Sequence, residues 1–223
     1  MDLKHYQILA GLCDYPAASF FKKVQQALDF LKDKYPRAAE EVSIFRDQLF
    51  QQDLDRIQEI YTRSFDIQAI TTLDAGYVLF GDDYKRGEIL SHLTREHQKV
   101  QNDCARELAD HLPNLLRLIA KSADEEFIQD LVREILAPAV GGMVAEFDPQ
   151  RMAEKNKLYQ KHYKTLIETS ADNALVYGHV LKALFDVIKQ DFQVNTEVLN
   201  GHVHNDFFGC LNAEMSVEKI ANE

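Results

Sequence analysis

The chain has 223 residues, of which 25 are Lys or Arg and 36 are Asp or Glu, for a formal charge of −11; 46% are hydrophobic and 27% charged. That length and balance fit one globular domain with a sizeable core. The acidic excess excludes the basic footprint on which nucleic-acid binding rests and favours basic partners. No run of about 18 apolar residues occurs, which excludes a transmembrane helix.

The opening stretch MDLKHYQILAGLCDYP has acidic and polar residues where a secretory signal needs a basic start and a longer apolar run, so the expected location is the cytoplasm. Cys13, Cys104 and Cys210 are far apart, with no CxxC, and read as reduced thiols rather than as a disulfide framework or a cysteine zinc site.

Taken in order, nearly every segment carries an amphipathic helical period. Residues 3–12 form a first helix that stops before Pro16. Residues 17–34 place Phe20, Phe21, Val24, Leu28 and Leu31 on one face, and residues 36–50 do the same with Ala39, Val42, Phe45 and Leu49. A fourth helix starts near Asp53 as N-cap and uses Leu54, Ile57, Tyr61 and Phe65. The β-branched run Ile67, Ile70, Thr71, Thr72 suits an extended connection. Thr72 is then placed to cap a short apolar helix through Tyr77 and Phe80, which Gly81 ends in a left-handed conformation.

Asp82 or Asp83 caps the next helix, expected from Tyr84 to about Leu108. In ADHLPNLL, Pro113 suits the first turn of a helix, and two readings stay open: Leu112 as the N-cap, or Asp110. Asp124 starts another helix, and APAVGG at residues 137–142 is expected to break or kink it. After the turn at Phe147-Asp148-Pro149, long helices follow over residues 150–169 and from a cap at Asp172 to about Phe192. The expectation is an all-α fold: one compact helical domain of nine or ten helices over residues 1–192, then a polar tail, 193–223, partly disordered or held by a short helix near Val217.

No catalytic constellation rises above background. There is no HExxH, GxSxG, GxxxxGK[ST] or GxGxxG, so no catalytic residue, metal ligand or cofactor is assigned. A metal-dependent hydrolase built on Asp110, His111 and His92 or His97 is the enzyme alternative, but the His-Asp order of the HD-type phosphohydrolases is absent. His202, His204, Asp206 and Cys210 in the tail match no usual zinc spacing. Asp110 and His111 have two readings, helix punctuation or a contact for a partner.

Three stretches carry a resemblance: EIYTRSFDI at residues 59–67, TTLDAGYVLFGDDYKRGEIL at 71–90 and ELADHLPNLLRLIA at 107–120. In order and spacing they resemble the NarJ-type chaperones (nitrate reductase delta subunits, or molybdenum cofactor assembly chaperones), within the wider TorD and DmsD group of redox-enzyme maturation proteins. A weaker likeness runs from LAGLCDYP to about residue 170, and the segment beyond Asp172 does not align. Arg117 departs from the pattern, standing where the family has an acidic residue.

The resemblance implies an all-helical cytoplasmic chaperone, a monomer or homodimer with no catalysis and no cofactor of its own. Its partner would be the apo catalytic subunit of a molybdenum oxidoreductase, held by a basic N-terminal peptide until cofactor insertion, before membrane attachment or export. The expected peptide-binding residues are Asp110, His111, Tyr61, Phe65, Asp66, Tyr77 and Phe80. A structural subunit of the mature oxidoreductase is the other alternative.

Overall fold

The computed structural model describes residues 2–153 and 175–194. Among them the chain is all-helical: α1 (His5–Ala10), α2 (Phe20–Lys34), α3 (Pro36–Leu49), α4 (Leu54–Phe65), α5 (Ala75–Phe80), α6 (Tyr84–Lys99), α7 (Leu112–Lys121), α8 (Glu125–Leu131), a π-helical turn (Val132–Leu136), α9 (Ala137–Glu146) and α10 (Val176–Phe192). No helix of the described residues is long and apolar enough to cross a membrane. The expected helix over residues 150–169 is seen only at its start, where residues 149–153 are helical; its remainder from residue 154, the Asp172 cap, the tail from residue 195 and its His202, His204 and Cys210 lie outside the described residues.

The helix starts follow local chemistry. Asp53, Asp83 and Asp124 stand at N-caps, and their carboxylates accept from the backbone N–H of Arg56, Lys85 and Phe127. Pro36 and Pro113 sit in first turns, where the N–H they lack would have no intrahelical partner. Gly81 ends α5 with φ 59° and ψ −138°, a conformation open in practice to glycine alone.

Three details depart from the sequence reading. The cap of α5 is Asp74, and the Thr72 hydroxyl instead accepts from the Asp74 N–H. Helix α6 stops at Lys99 rather than near residue 108, because Asn102 folds back onto His97 and Gln101 and Ala105 take positive φ. APAVGG does not break its helix. Pro138 falls in the first turn of α9, and the preceding turn widens to a π geometry in which the Ala137 N–H reaches Val132 O, so the chain passes the proline without a stop.

The core is continuous. Helix α10 is sandwiched between α3 and α9, while α1 packs on α7, α2 on α3, and α5 on α9 and the π turn. Leu31, Val42, Phe45, Leu49, Val180 and Val187 are fully buried. At about 1.5–3 kcal/mol for each large apolar side chain removed from water, these faces rather than helix propensity hold the bundle. Tyr177 on α10 is the hub of an aromatic group, with ring centroids 5.1 Å from Phe65, 5.2 Å from Phe45 and 5.5 Å from Tyr61, all edge-on. Gly178 lets α10 approach closely: a Cβ there would stand 3.0 Å from Phe147 Cβ.

Candidate functional site

Leu73 to Ala75, entering α5, runs antiparallel to Asp110 to Leu112, entering α7. The Ala75 N–H donates to Asp110 O (3.0 Å) and the Leu112 N–H to Leu73 O (2.8 Å), with Asp74 and His111 opposite each other. This pairing supplies partners to backbone groups at two helix starts. It also sets the side chains of Asp74, Asp110 and His111 into one group.

Arg86, in the first turn of α6, completes the group. Its Nε donates to Asp110 Oδ2 at 3.1 Å and its Nη2 to Asp74 Oδ2 at 2.9 Å. The guanidinium lies over the Tyr77 ring, 5.3 Å from the centroid. Asp110 Oδ2 also accepts from the Gly76 N–H at 3.1 Å, while Asp74 Oδ1 meets His111 Nδ1 at 3.0 Å. A Cβ on residue 76 would stand 2.6 Å from Asp110 Oδ2, so glycine is what allows the approach. The other oxygen, Asp110 Oδ1, is buried with no hydrogen-bond partner.

The two carboxyls differ. Burial pushes Asp110 above the ordinary carboxylate range, with Asp74 adding to the rise and Arg86 opposing it. Burial also raises Asp74, but His111 and Arg86 outweigh it and hold Asp74 below that range.

A second polar group braces this one. His97 Nε2 lies 2.9 Å from Ala109 O, and its Nδ1 lies 2.9 Å from the Asn102 amide. The Asn102 amide also reaches Asn114 O, and the Asn114 amide donates to Leu108 O and Cys104 O. With both ring nitrogens so engaged, neither is open to a metal. His92 is exposed and pairs instead with Glu96 (3.8 Å). Among the described residues, no group of three or more His, Cys, Asp or Glu side chains is arranged to hold a metal ion.

The expected contact residues therefore separate by depth. Asp110 is 0% exposed, which corrects its placement as a surface contact: the Gly76 N–H and Arg86 draw it inward. It is not the N-cap either, nor is Leu112; His111 occupies that position, half-buried and without a side-chain cap bond. Tyr61 and Phe65 are core, covered by Tyr177 and Phe147, and the Tyr61 hydroxyl donates to Cys13 O. Tyr77 and Phe80 are half-buried on α5, and Asp66 is exposed.

Around Asp66 the surface is acidic and partly apolar. Its carboxyl is pushed up first by desolvation and then by Glu107 and Asp74, with His111 opposing. Those three groups are thus near enough to act on it. Ile67 and Leu108, next in sequence to Asp66 and Glu107, are 55% and 48% exposed. Tyr15, 53% exposed, stands edge-on to Tyr61 at 5.3 Å. Arg117 pairs with Asp14 (2.5 Å), which Lys23 also reaches (2.8 Å), and so ties α7 to the loop after α1.

Sequence reasoning missed Arg86, Asp74 and Gly76 as a unit. An arginine one turn past an aspartate cap reads as a solvated charge. The available signal was the pair of helix starts, LDAG and ADHL, each offering an aspartate with no basic partner of its own. No family model matches the chain, and no curated protein matches it.

Proposed function

We propose that the chain is an assembly chaperone of the NarJ type. It holds the catalytic subunit of a molybdenum oxidoreductase by a basic, amphipathic N-terminal segment while the enzyme awaits its cofactor. One observation carries this reading: the three stretches that resemble the family meet at one place. The Thr71 N–H donates to Ser64 O, Asp74 pairs with His111, and Arg86 pairs with Asp110, so the end of α4 and the starts of α5, α6 and α7 form one unit. Beside it is chemistry such a segment needs: the carboxyls of Asp66 and Glu107, close enough for Glu107 to raise Asp66, with their sequence neighbours Ile67 and Leu108 exposed.

Affinity capture of the tagged full chain from its native host tests the proposal. The expected result is recovery of a molybdenum oxidoreductase catalytic subunit lacking its cofactor. Recovery of mature, active enzyme with the chain as a stoichiometric subunit overturns it. Binding of the client's N-terminal peptide should weaken between 0.1 and 1 M salt, as the screening length falls from about 10 Å to about 3 Å. An affinity that does not change with salt overturns the electrostatic part of the reading.

A further inference from the structure

We infer that Asp74, Asp110 and the face of Tyr77 form a guanidinium site that Arg86 fills from within the chain, and that an arginine of the bound partner exchanges with Arg86. The exchange rests on the chaperone reading for the source of that arginine; the site does not. Its chemistry is on view, because a guanidinium occupies it: two carboxylates at 2.9 and 3.1 Å and an aromatic face at 5.3 Å.

The occupant fits incompletely. Arg86 meets Asp110 through Oδ2 alone, and Oδ1 of the same fully buried carboxylate has no partner. A guanidinium arriving from outside α6 is free to present its planar fork to both oxygens of one carboxylate, the arrangement that arginine and carboxylate geometry favours. The unused oxygen thus gives the incoming group a bond that Arg86 does not make.

The helix that carries Arg86 is built to let go at this end. Of the sixteen residues of α6, the two that are buried, Leu93 and His97, lie in its second half. Tyr84, Lys85, Gly87 and Glu88 around Arg86 are exposed, and Ile89 and Leu90 are only partly covered. Arg86, with 14% of its side chain exposed, is thus the main polar tie of the first turns to the body. His97, bonded to Ala109 O, anchors the far end. Gly81, at positive φ between α5 and α6, is a natural pivot. Losing the Arg86 contacts frees the first two turns and leaves the rest of α6 seated.

The test uses the full chain and two synthetic amphipathic peptides identical except that one arginine is replaced by citrulline, which keeps the shape and removes the charge. Calorimetric titration should show tighter binding of the arginine peptide. Amide exchange over residues 84–90 should speed up when it binds, and not with citrulline. Arg86→Gln removes the internal occupant. If Arg86 fills the site about nine-tenths of the time, the variant should bind the arginine peptide about tenfold more tightly.

Equal binding of the two peptides, or exchange over 84–90 that is unchanged or slowed, overturns the exchange and leaves the chaperone reading standing. If neither peptide binds either protein, the chaperone reading of this face falls, and with it the exchange. The site itself is decided by ethylguanidinium and ethylammonium on Arg86→Gln: a rise in melting temperature with the first and not the second supports it, and no difference overturns it. Should Arg86→Gln fail to fold, amide exchange in the wild type decides the exchange.

Discussion

Two carboxylates tie distant parts of this chain together, and they are finished to different degrees. Asp191, near the end of α10, receives His5 Nε2 on Oδ2 at 2.7 Å and the Tyr35 hydroxyl on Oδ1 at 2.6 Å, with Lys34 Nζ 3.6 Å away. The His5 ring is stacked on Phe30, centroids 5.1 Å apart and nearly parallel. Both oxygens of Asp191 are used, and although burial raises its carboxyl, His5, Tyr35 and Lys34 outweigh that and hold it below the ordinary range. Asp110 is more deeply buried, uses one oxygen and is pushed up. A closed carboxylate clasp stabilises a fold; one with a vacant acceptor keeps part of its desolvation uncompensated and is the easier of the two to rearrange.

The largest expected effect comes from crowding the open clasp. Gly76→Ala places a Cβ 2.6 Å from Asp110 Oδ2, an atom on a short side chain already held by two donors. Overpacking plus a displaced hydrogen bond should cost about 3 kcal/mol in denaturant unfolding. Gly87→Ala is the control: a Cβ there meets nothing within 4 Å, and on an exposed helical position it should stabilise by about 0.5–1 kcal/mol. A Gly76→Ala protein as stable as wild type would mean that Asp110 moves aside freely, and the clasp does not hold.

A smaller effect ranks the two clasps directly. Asp191→Asn keeps the size but removes a charge that two short hydrogen bonds favour, and should cost about 2 kcal/mol. Asp110→Asn removes a charge that burial disfavours, leaves Arg86 paired with Asp74, and should cost about 1 kcal/mol or less despite the deeper burial. Urea titrations of both variants measure the order. The reverse order would show that the Arg86 contact outweighs the vacant oxygen, and the contrast between finished and unfinished clasps would fail.

The sequence made the helices legible where side chains decide locally and failed where they reach across the fold. Asp53, Asp83 and Asp124 as caps and Gly81 as a stop at positive φ were readable, because each acts on its own backbone within three or four residues. The end of α6 was not, because it depends on Asn102 finding His97 and Asn114 O. The π turn was not, because a proline after a helical stretch reads as a break unless packing against α5 keeps the helix running. At the candidate site, the sequence placed Asp110 and His111 at a helix start, and they stand at the entry to α7. Their depths were not, since Asp110 is buried by Gly76 and Arg86, 34 and 24 residues away in sequence. Tyr61 and Phe65 read equally well as anchors or core from their periodicity, and only the position of Tyr177 over them decides for core.

The smallest effect is the one whose sign separates the clasps most cleanly. A carboxyl held low in the folded state contributes stability that is present above its unfolded value, about 3.9 for Asp, and lost as pH falls through the folded value. Asp191 and Asp74 are of this kind. A carboxyl held high does the opposite: its contribution is present below the unfolded value and is lost as pH rises through the folded one, so between the two the folded state binds more proton than the unfolded. Asp110 is of this kind. Acidification therefore draws on two groups that weaken the fold below about pH 4 and one that partly offsets them from above that point. Asp191→Asn should make the acid loss of stability shallower, and Asp110→Asn should make it steeper, each by no more than about 1.4 kcal/mol per pH unit, the limit for one proton. Urea unfolding at intervals from pH 6 to pH 3 measures both slopes against wild type. If the two variants shift the slope in the same direction, Asp110 is a second closed clasp, with its vacant oxygen filled in solution, and Arg86 has no reason to yield its place.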